Sequence, residues 1–395
     1  MFKKVCFLVN YNLYESKRHF TVKLCEALNR AGVETDIIDV KESQLKSTSI
    51  QRIHSFQPDF TASFNSFEPL EGKQYMWDFL EIPHLSMLVD PSLYSVNLID
   101  SPYSVISCVD QIDCQSIASQ GFSRVFFLPH AVEADLLKEE RRQPKYDVVF
   151  FGTCYDYESM QKSWREELPG PIVKALELAI EIFLSDHVTS LQQALVAAWN
   201  KAGVSPQGVN MIQLFYYLDH YTRGYDRVKL IRSIKEAKVH VFGELSRDDS
   251  SAVNGWDYYL KDCPNVTIHP AVDFSDSLSI LKESKICLNS SPFFKCGTHE
   301  RMFTGPACGA LTISSNNTWI EKTFAEERDI VTYECIARDA VNEKVNFYIS
   351  HDNERLAIVD EARKKIGDEH TWDQRVLLLQ EVMPQLLSQT KATLR

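Results

Sequence analysis

Short continuous apolar runs recur along the chain, separated by stretches in which apolar residues return every third or fourth position. Runs of the first kind read as strands buried on both faces, and the spacing of the second kind predicts amphipathic helices. KVCFLV at 4–9 is the first run; a helix is expected over 17–31, closed by Gly32, and a second strand over 34–40. A β-loop-α-β opening of this kind begins a Rossmann-like domain. Further strands are expected at 60–64, 84–89, 105–109 and 125–128, the last ending in Leu128-Pro129-His130-Ala131.

The segment EERRQPK at 139–145 is charged, holds a proline and has no apolar pattern, so it reads as a linker. A second Rossmann-like domain is expected to begin with the strand at 147–151. The pattern then turns helical over about 157–237, with helices expected at 172–184, 190–201, 209–222 and 226–237, before a strand at 239–242. That insertion is long for an α/β connection. It has three readings: a cap on the active site, an acceptor-binding element or an oligomer contact. Helices are expected again at 353–365 and 372–387.

Composition narrows the class. The 395 residues suit two domains better than one core. With 44% hydrophobic and 24% charged residues the chain reads as a soluble globular protein, and a net charge of −12 argues against a nucleic-acid partner. The ten cysteines are scattered, with no CxxC pair and no compact Cys/His cluster, so no zinc is expected and reduced thiols are. The chain runs straight into a strand and has no stretch of bilayer length, so no membrane span and a cytoplasmic location are expected. No GxGxxG fingerprint is present.

The densest chemistry lies at 284–315, where a strand leads through a polar loop and a helical turn to a second strand. Ligands in open α/β sheets sit at the carboxyl ends of strands, which is where 289–301 falls. A helix is expected to start near Thr298, offering the N–H groups of Thr298, His299 and Glu300 to a diphosphate, with the Arg301 cation beside them. Each has a plainer alternative: a solvated arginine, a first-turn acid, a structural histidine. Gly297 suits close backbone approach or a left-handed turn. Gly152-Thr153, just past the strand at 147–151, is placed to line the same pocket or to form an ordinary turn, and Asn289 to contact the sugar or satisfy the loop.

The stretch RMFTGPACGALTIS from Arg301 resembles the donor-binding segment of GT-B glycosyltransferases, in particular the CgeB-like, spore-maturation-protein branch. The resemblance continues through YDVVFFG at 146–152, VHVFG at 239–243, NVTIH at 265–269 and the segment 274–289. It implies two Rossmann-like domains facing across a cleft: 1–140 on the acceptor side, 146–370 binding a nucleotide sugar, and a helix at 371–395 returning to the first domain. It implies transfer of a sugar from a nucleotide-diphosphate donor to a protein or glycan acceptor, with no cofactor and no metal. Arg301 would stabilise the leaving diphosphate. The acceptor base would come from the first domain, where Asp90, His130 and Glu15 are the candidates, and Asp90 reads equally as a turn cap. Asp110 and Asp113 read as first-turn acids of a helix rather than as a metal motif.

Two positions depart from the family pattern. Thr304 stands where the family has the glutamate that grips the ribose hydroxyls, and Glu300, one turn earlier, is the substitute on the same face. Pro306 stands where a helix former is expected and would bend or end the helix. The alternatives are a phosphotransferase or epimerase of the same fold, or a sugar-nucleotide-binding protein without turnover.

Overall fold

The computed structural model describes residues 2–12, 14–40, 45–70, 74–203, 208–246 and 253–393. The chain folds into two compact units, one of Met1–Lys138, Asp273–Ser275 and Lys365–Arg395, the other of Glu139–Val272 and Asp276–Lys364.

The first unit is built on six parallel strands, β1 Lys4–Asn10, β2 Glu34–Val40, β3 Phe60–Phe64, β4 His84–Leu88, β5 Ser104–Cys108 and β6 Val125–Phe127. Their order is β2-β1-β3-β4-β5-β6. Every residue of β3, β4 and β5 is buried, which is why these strands read as unbroken apolar or small-residue runs. The helix Ser16–Arg30 lays Phe20, Leu24 and Leu28, four residues apart, onto this sheet. Fully buried Trp77 stacks on His84 with ring centroids 3.9 Å apart. The helix Trp372–Thr393 belongs to this unit: Trp372 packs edge-on to Phe64, and Arg30 grips Asp373 through two bonds of 2.9 and 2.8 Å. Buried Arg375 donates to the carbonyls of Pro129 and His130, both at 2.7 Å, and so ties that helix to the chain beyond β6.

The second unit carries β7 Tyr146–Phe151, β8 Val239–Phe242, β9 Val266–His269, β10 Ser284–Asn289, β11 Leu311–Ser315 and β12 Val331–Tyr333, in the order β12-β11-β10-β7-β8-β9. This is the doubly wound arrangement whose order reverses between its first and fourth strands, here β7 and β10. Between β7 and β8 stand the helices Tyr157–Glu167, Gly170–Ser185, Leu191–Ala202 and Met211–Ser233. Ser190 starts the third with a reciprocal cap, its hydroxyl accepting from the Gln193 N–H while the Gln193 side chain accepts from its own.

The helical insertion differs from the sequence expectation in one place. The two helices expected over 209–222 and 226–237 are a single helix, Met211–Ser233, running straight through Gly224. This glycine is a contact, not a break: a Cβ there would lie 2.5 Å from the Tyr155 carbonyl oxygen. Its lack of a side chain lets the helix press against the chain following β7.

Candidate functional site

Gly152 and Thr153 leave β7, and Asn289 ends β10, so all three stand at the reversal point of the second sheet. The loop beyond β10 is fixed from below. Asn289 is fully buried and its amide donates to Ser291 Oγ and Ser314 Oγ at 3.1 and 2.9 Å, while its Oδ1 is buried without a partner among the described residues. The Gly297 carbonyl accepts from Asn317 Nδ2 at 2.8 Å. Thr298 is buried, and its hydroxyl donates to the His299 carbonyl at 3.3 Å.

The helix after this loop is Arg301–Ala307, so it begins three residues later than Thr298, with Glu300 at its N-cap. The N–H groups of Met302, Phe303 and Thr304 are taken by the carbonyls of His299 and Glu300. His299, Glu300 and Arg301 form one polar cluster: the Glu300 carboxylate pairs with His299 Nδ1, lies 3.7 Å from Arg301 Nε, and Arg301 Nη1 is 3.2 Å from His299 Nδ1. Buried Thr304 turns its hydroxyl back onto the Glu300 carbonyl at 3.3 Å. The helix stops one residue beyond Pro306, and Gly309, at φ +95, makes the exit to β11. Gly305 lets the helix sit close on β11, since a Cβ there would meet Thr312 Oγ1 at 2.2 Å.

Around this rim the helix Met211–Ser233 adds charges that the sequence reading passed over. Arg227 is only 6% exposed and donates Nη1 to the Thr153 carbonyl at 2.8 Å. Its guanidinium lies over the Tyr155 ring at 5.0 Å, and its Nε is buried without a partner among the described residues. Burial holds it below the usual arginine range; Tyr155 and Asp219 oppose that shift, and the nearby cations Arg223 and Arg301 add to it. Arg227 and Gly152 are in contact, for a Cβ on Gly152 would stand 3.3 Å from Arg227 Nη1. Arg223, one turn earlier, is paired with Asp219 at 2.7 Å and covers the Phe293 ring at 3.7 Å. Asp226 is fully buried and accepts from Ser290 Oγ at 2.6 Å, Tyr333 Oη at 2.9 Å and Arg338 Nε at 2.6 Å. One carboxylate thus pins the loop after β10 to the helix and to the segment beyond β12. The sequence signal was present in YYLDHYTRGYDR, where acids, arginines and tyrosines recur at helical spacing.

In the second unit Gly152, Thr153 and Asn289 stand at the ends of β7 and β10, His299, Glu300 and Arg301 form one cluster after Gly297 and Thr298, and Arg227 bonds Thr153 and feels the charge of Arg301. The first-unit candidates sit in contrasting surroundings. Asp90 is exposed just beyond β4 and accepts from Asn65 Nδ2 at 2.9 Å. Its charge is felt by Lys17, which burial holds below the usual lysine range and Asp90 raises. His130 is 2% exposed, its ring packed edge-on to Phe20 at 4.9 Å and Trp372 at 6.4 Å. Glu15 lies in the left-handed region beside Arg18 at 3.2 Å. Asp110 caps the helix Gln111–Ser119 through the Ile112 N–H, and Asp113 accepts from the Ser92 N–H.

The two six-stranded parallel sheets with flanking helices are the GT-B arrangement. Residues 227–381 match the family model described as glycosyl transferase-like. No curated protein matches the chain by sequence. Among solved structures, the sucrose-phosphate synthase of Thermosynechococcus elongatus is similar at TM-score 0.55 and 10% identity, covering 98% of this chain and 99% of its own. An alpha-glucosyltransferase in complex with UDP is similar at TM-score 0.58 and 10% identity, over 96% and 99% of the two chains. The Anabaena protein HepE, in complex with UDP and glucose, is similar at TM-score 0.54 and 7% identity, over 97% and 99%. At these identities the likeness is one of fold. Among the described residues no helix is long and apolar enough to cross a membrane.

Proposed function

We propose that the chain is a glycosyltransferase that moves a sugar from a nucleotide-diphosphate donor to an acceptor hydroxyl, without needing a metal. The observation that carries this reading is Arg227. Burying a cation costs several kcal/mol unless a counter-charge meets it, and Arg227 has around it a carbonyl, a tyrosine face, two repelling arginines and one nearby carboxylate, Asp219, that is already paired with Arg223. An anion seated at the β7/β10 reversal point would complete that set. The diphosphate of a nucleotide sugar has the charge and the place in the fold. Two structural neighbours whose complexes hold UDP support the choice.

In the reaction the acceptor oxygen bonds to the anomeric carbon as the bond from that carbon to the diphosphate breaks. The diphosphate leaves with the electron pair, and Arg227 and Arg301 meet the charge that develops on it. Asp90, exposed just beyond β4, is the proposed base for the acceptor proton in an inverting reaction, with His130 the second candidate. Glu300, Gly152, Thr153, Asn289, Gly297, Thr298 and His299 line the donor side.

Thr304 favours a second reading. It contributes no carboxylate, and its hydroxyl is turned onto the Glu300 carbonyl, which suits a donor-binding protein without turnover. Donor hydrolysis without acceptor separates the two. Slow release of nucleoside diphosphate, unaffected by EDTA and lost in Arg301→Ala and Arg227→Ala, is expected for the enzyme. Binding with no release on any donor would leave only the binder.

A further inference from the structure

Asn65 stands one residue beyond β3, beside the chain that carries Asp90 beyond the neighbouring strand β4. Its backbone is left-handed, at φ +59, a region that asparagine enters more readily than most residues with a side chain. The main chain is fixed there: the Asn65 N–H donates to the Met87 carbonyl at 2.7 Å, and its carbonyl accepts from Ser63 Oγ at 2.8 Å.

The side chain makes two further bonds. Oδ1 accepts from the Val89 N–H at 2.8 Å, and Nδ2 donates to Asp90 Oδ2 at 2.9 Å. The Val89 N–H can only donate, so the amide oxygen must face it and the NH2 group must face Asp90. The first bond ties the ends of two strands together. The second holds one oxygen of the carboxylate.

An exposed carboxylate ordinarily turns about its Cβ–Cγ bond, whereas a base needs a lone pair kept on the acceptor hydroxyl. The chain on both sides of Asp90 is already pinned, Val89 by Asn65 and Ser92 by Asp113, which accepts from the Ser92 N–H at 3.0 Å. Pro91 narrows the Asp90 backbone further. What remains is rotation of the carboxylate, and the Asn65 Nδ2 bond restrains it.

We propose that Asn65 is a positioning residue that aims the Asp90 carboxylate at the acceptor hydroxyl. This rests on the glycosyl-transfer reading given above and deepens it at the acceptor end. In donor hydrolysis water takes the acceptor's place. Its oxygen bonds to the anomeric carbon, one of its protons passes to Asp90, and the diphosphate leaves with the electron pair.

Two variants separate the two bonds. Asn65→Asp keeps an oxygen for the Val89 N–H but has no N–H for Asp90. Asn65→Gly takes the left-handed backbone without strain and loses both bonds. The test is the rate of nucleoside diphosphate release from UDP-, GDP- and dTDP-glucose by the full chain and its variants. With a donor that the parent hydrolyses, both variants should lower kcat by about tenfold or more and leave KM within about twofold. In the Asp90→Asn background, Asn65→Asp should cost nothing further. Loss in Asn65→Gly alone is what a strand tie predicts, and it would overturn the proposal. A change confined to KM, parent kcat in both variants, or losses that add fully to that of Asp90→Asn would do the same. Parent kcat in Asp90→Asn would also overturn it, since the base would lie elsewhere, while the transferase reading would stand. No release from any donor by the parent would remove that reading and this proposal with it.

Discussion

Burying a guanidinium at 6% exposure carries a desolvation cost that an apolar side chain of similar size does not. Arg227→Met keeps the volume and removes the charge. We expect its unfolding free energy to be no lower than that of the parent, and higher by up to about 2 kcal/mol, while donor affinity falls by about a hundredfold. Urea unfolding and donor titration on the same variant check both signs. His84 gives the residue scale a pH dependence. Burial pushes its pKa down to about 3, and its two ring nitrogens face the hydroxyls of Thr61 and Ser63. The folded value lies below the unfolded one, so between them the unfolded chain binds more protons. The stability held by neutral His84 is full above pH 6.5 and declines as pH falls toward 3, by about 1.4 kcal/mol per pH unit from this group. His370, also buried and also pushed down to about 3, acts in the same direction. Urea midpoints at pH 7 and pH 5 should differ accordingly, and His84→Gln should shrink the difference.

At the scale of elements, two glycines hold helices close to the sheet and loops that form the site. An alanine in place of a mid-helix glycine ordinarily stabilises by about 1 kcal/mol. Gly224→Ala should instead destabilise, because its Cβ meets the Tyr155 carbonyl, and Gly305→Ala should do the same against Thr312. Thermal unfolding of each variant settles the sign. These contacts mark where the sequence stopped being legible. A strand such as β3 was readable to the residue, because burial on both faces leaves an unbroken run. The helix Met211–Ser233 was not, because Gly224 looks like a break and becomes a close approach only once the chain after β7 is in place. The start of the helix Arg301–Ala307 was misplaced for a similar reason: the polar run through Thr298 is held by Asn317, not by helical bonds. Arg227 was missed because the helical spacing of its charges marks a helix but not that this position will be buried at the end of β7, 74 residues from Thr153.

For the whole molecule, the first unit is completed by the end of the chain. Arg375 reaches the carbonyls of Pro129 and His130, Trp372 packs on Phe64, and residue 132 bridges residue 371. A chain stopped after residue 364 should therefore lose the cooperative unfolding of the first unit while the second retains its own transition, which calorimetry resolves as the loss of one endotherm. The first unit offers an exposed carboxylate at a strand end, and the second gathers cations where its sheet order reverses. The central claim is that this cationic rim holds a nucleotide diphosphate. Isothermal titration of the intact chain and of Arg227→Met with UDP-, GDP-, dTDP- and CMP-linked sugars tests it most directly. Saturable binding of one donor to the parent, lost in a variant that is at least as stable, is the expected result; no donor binding to the parent, or equal binding to both, would contradict it.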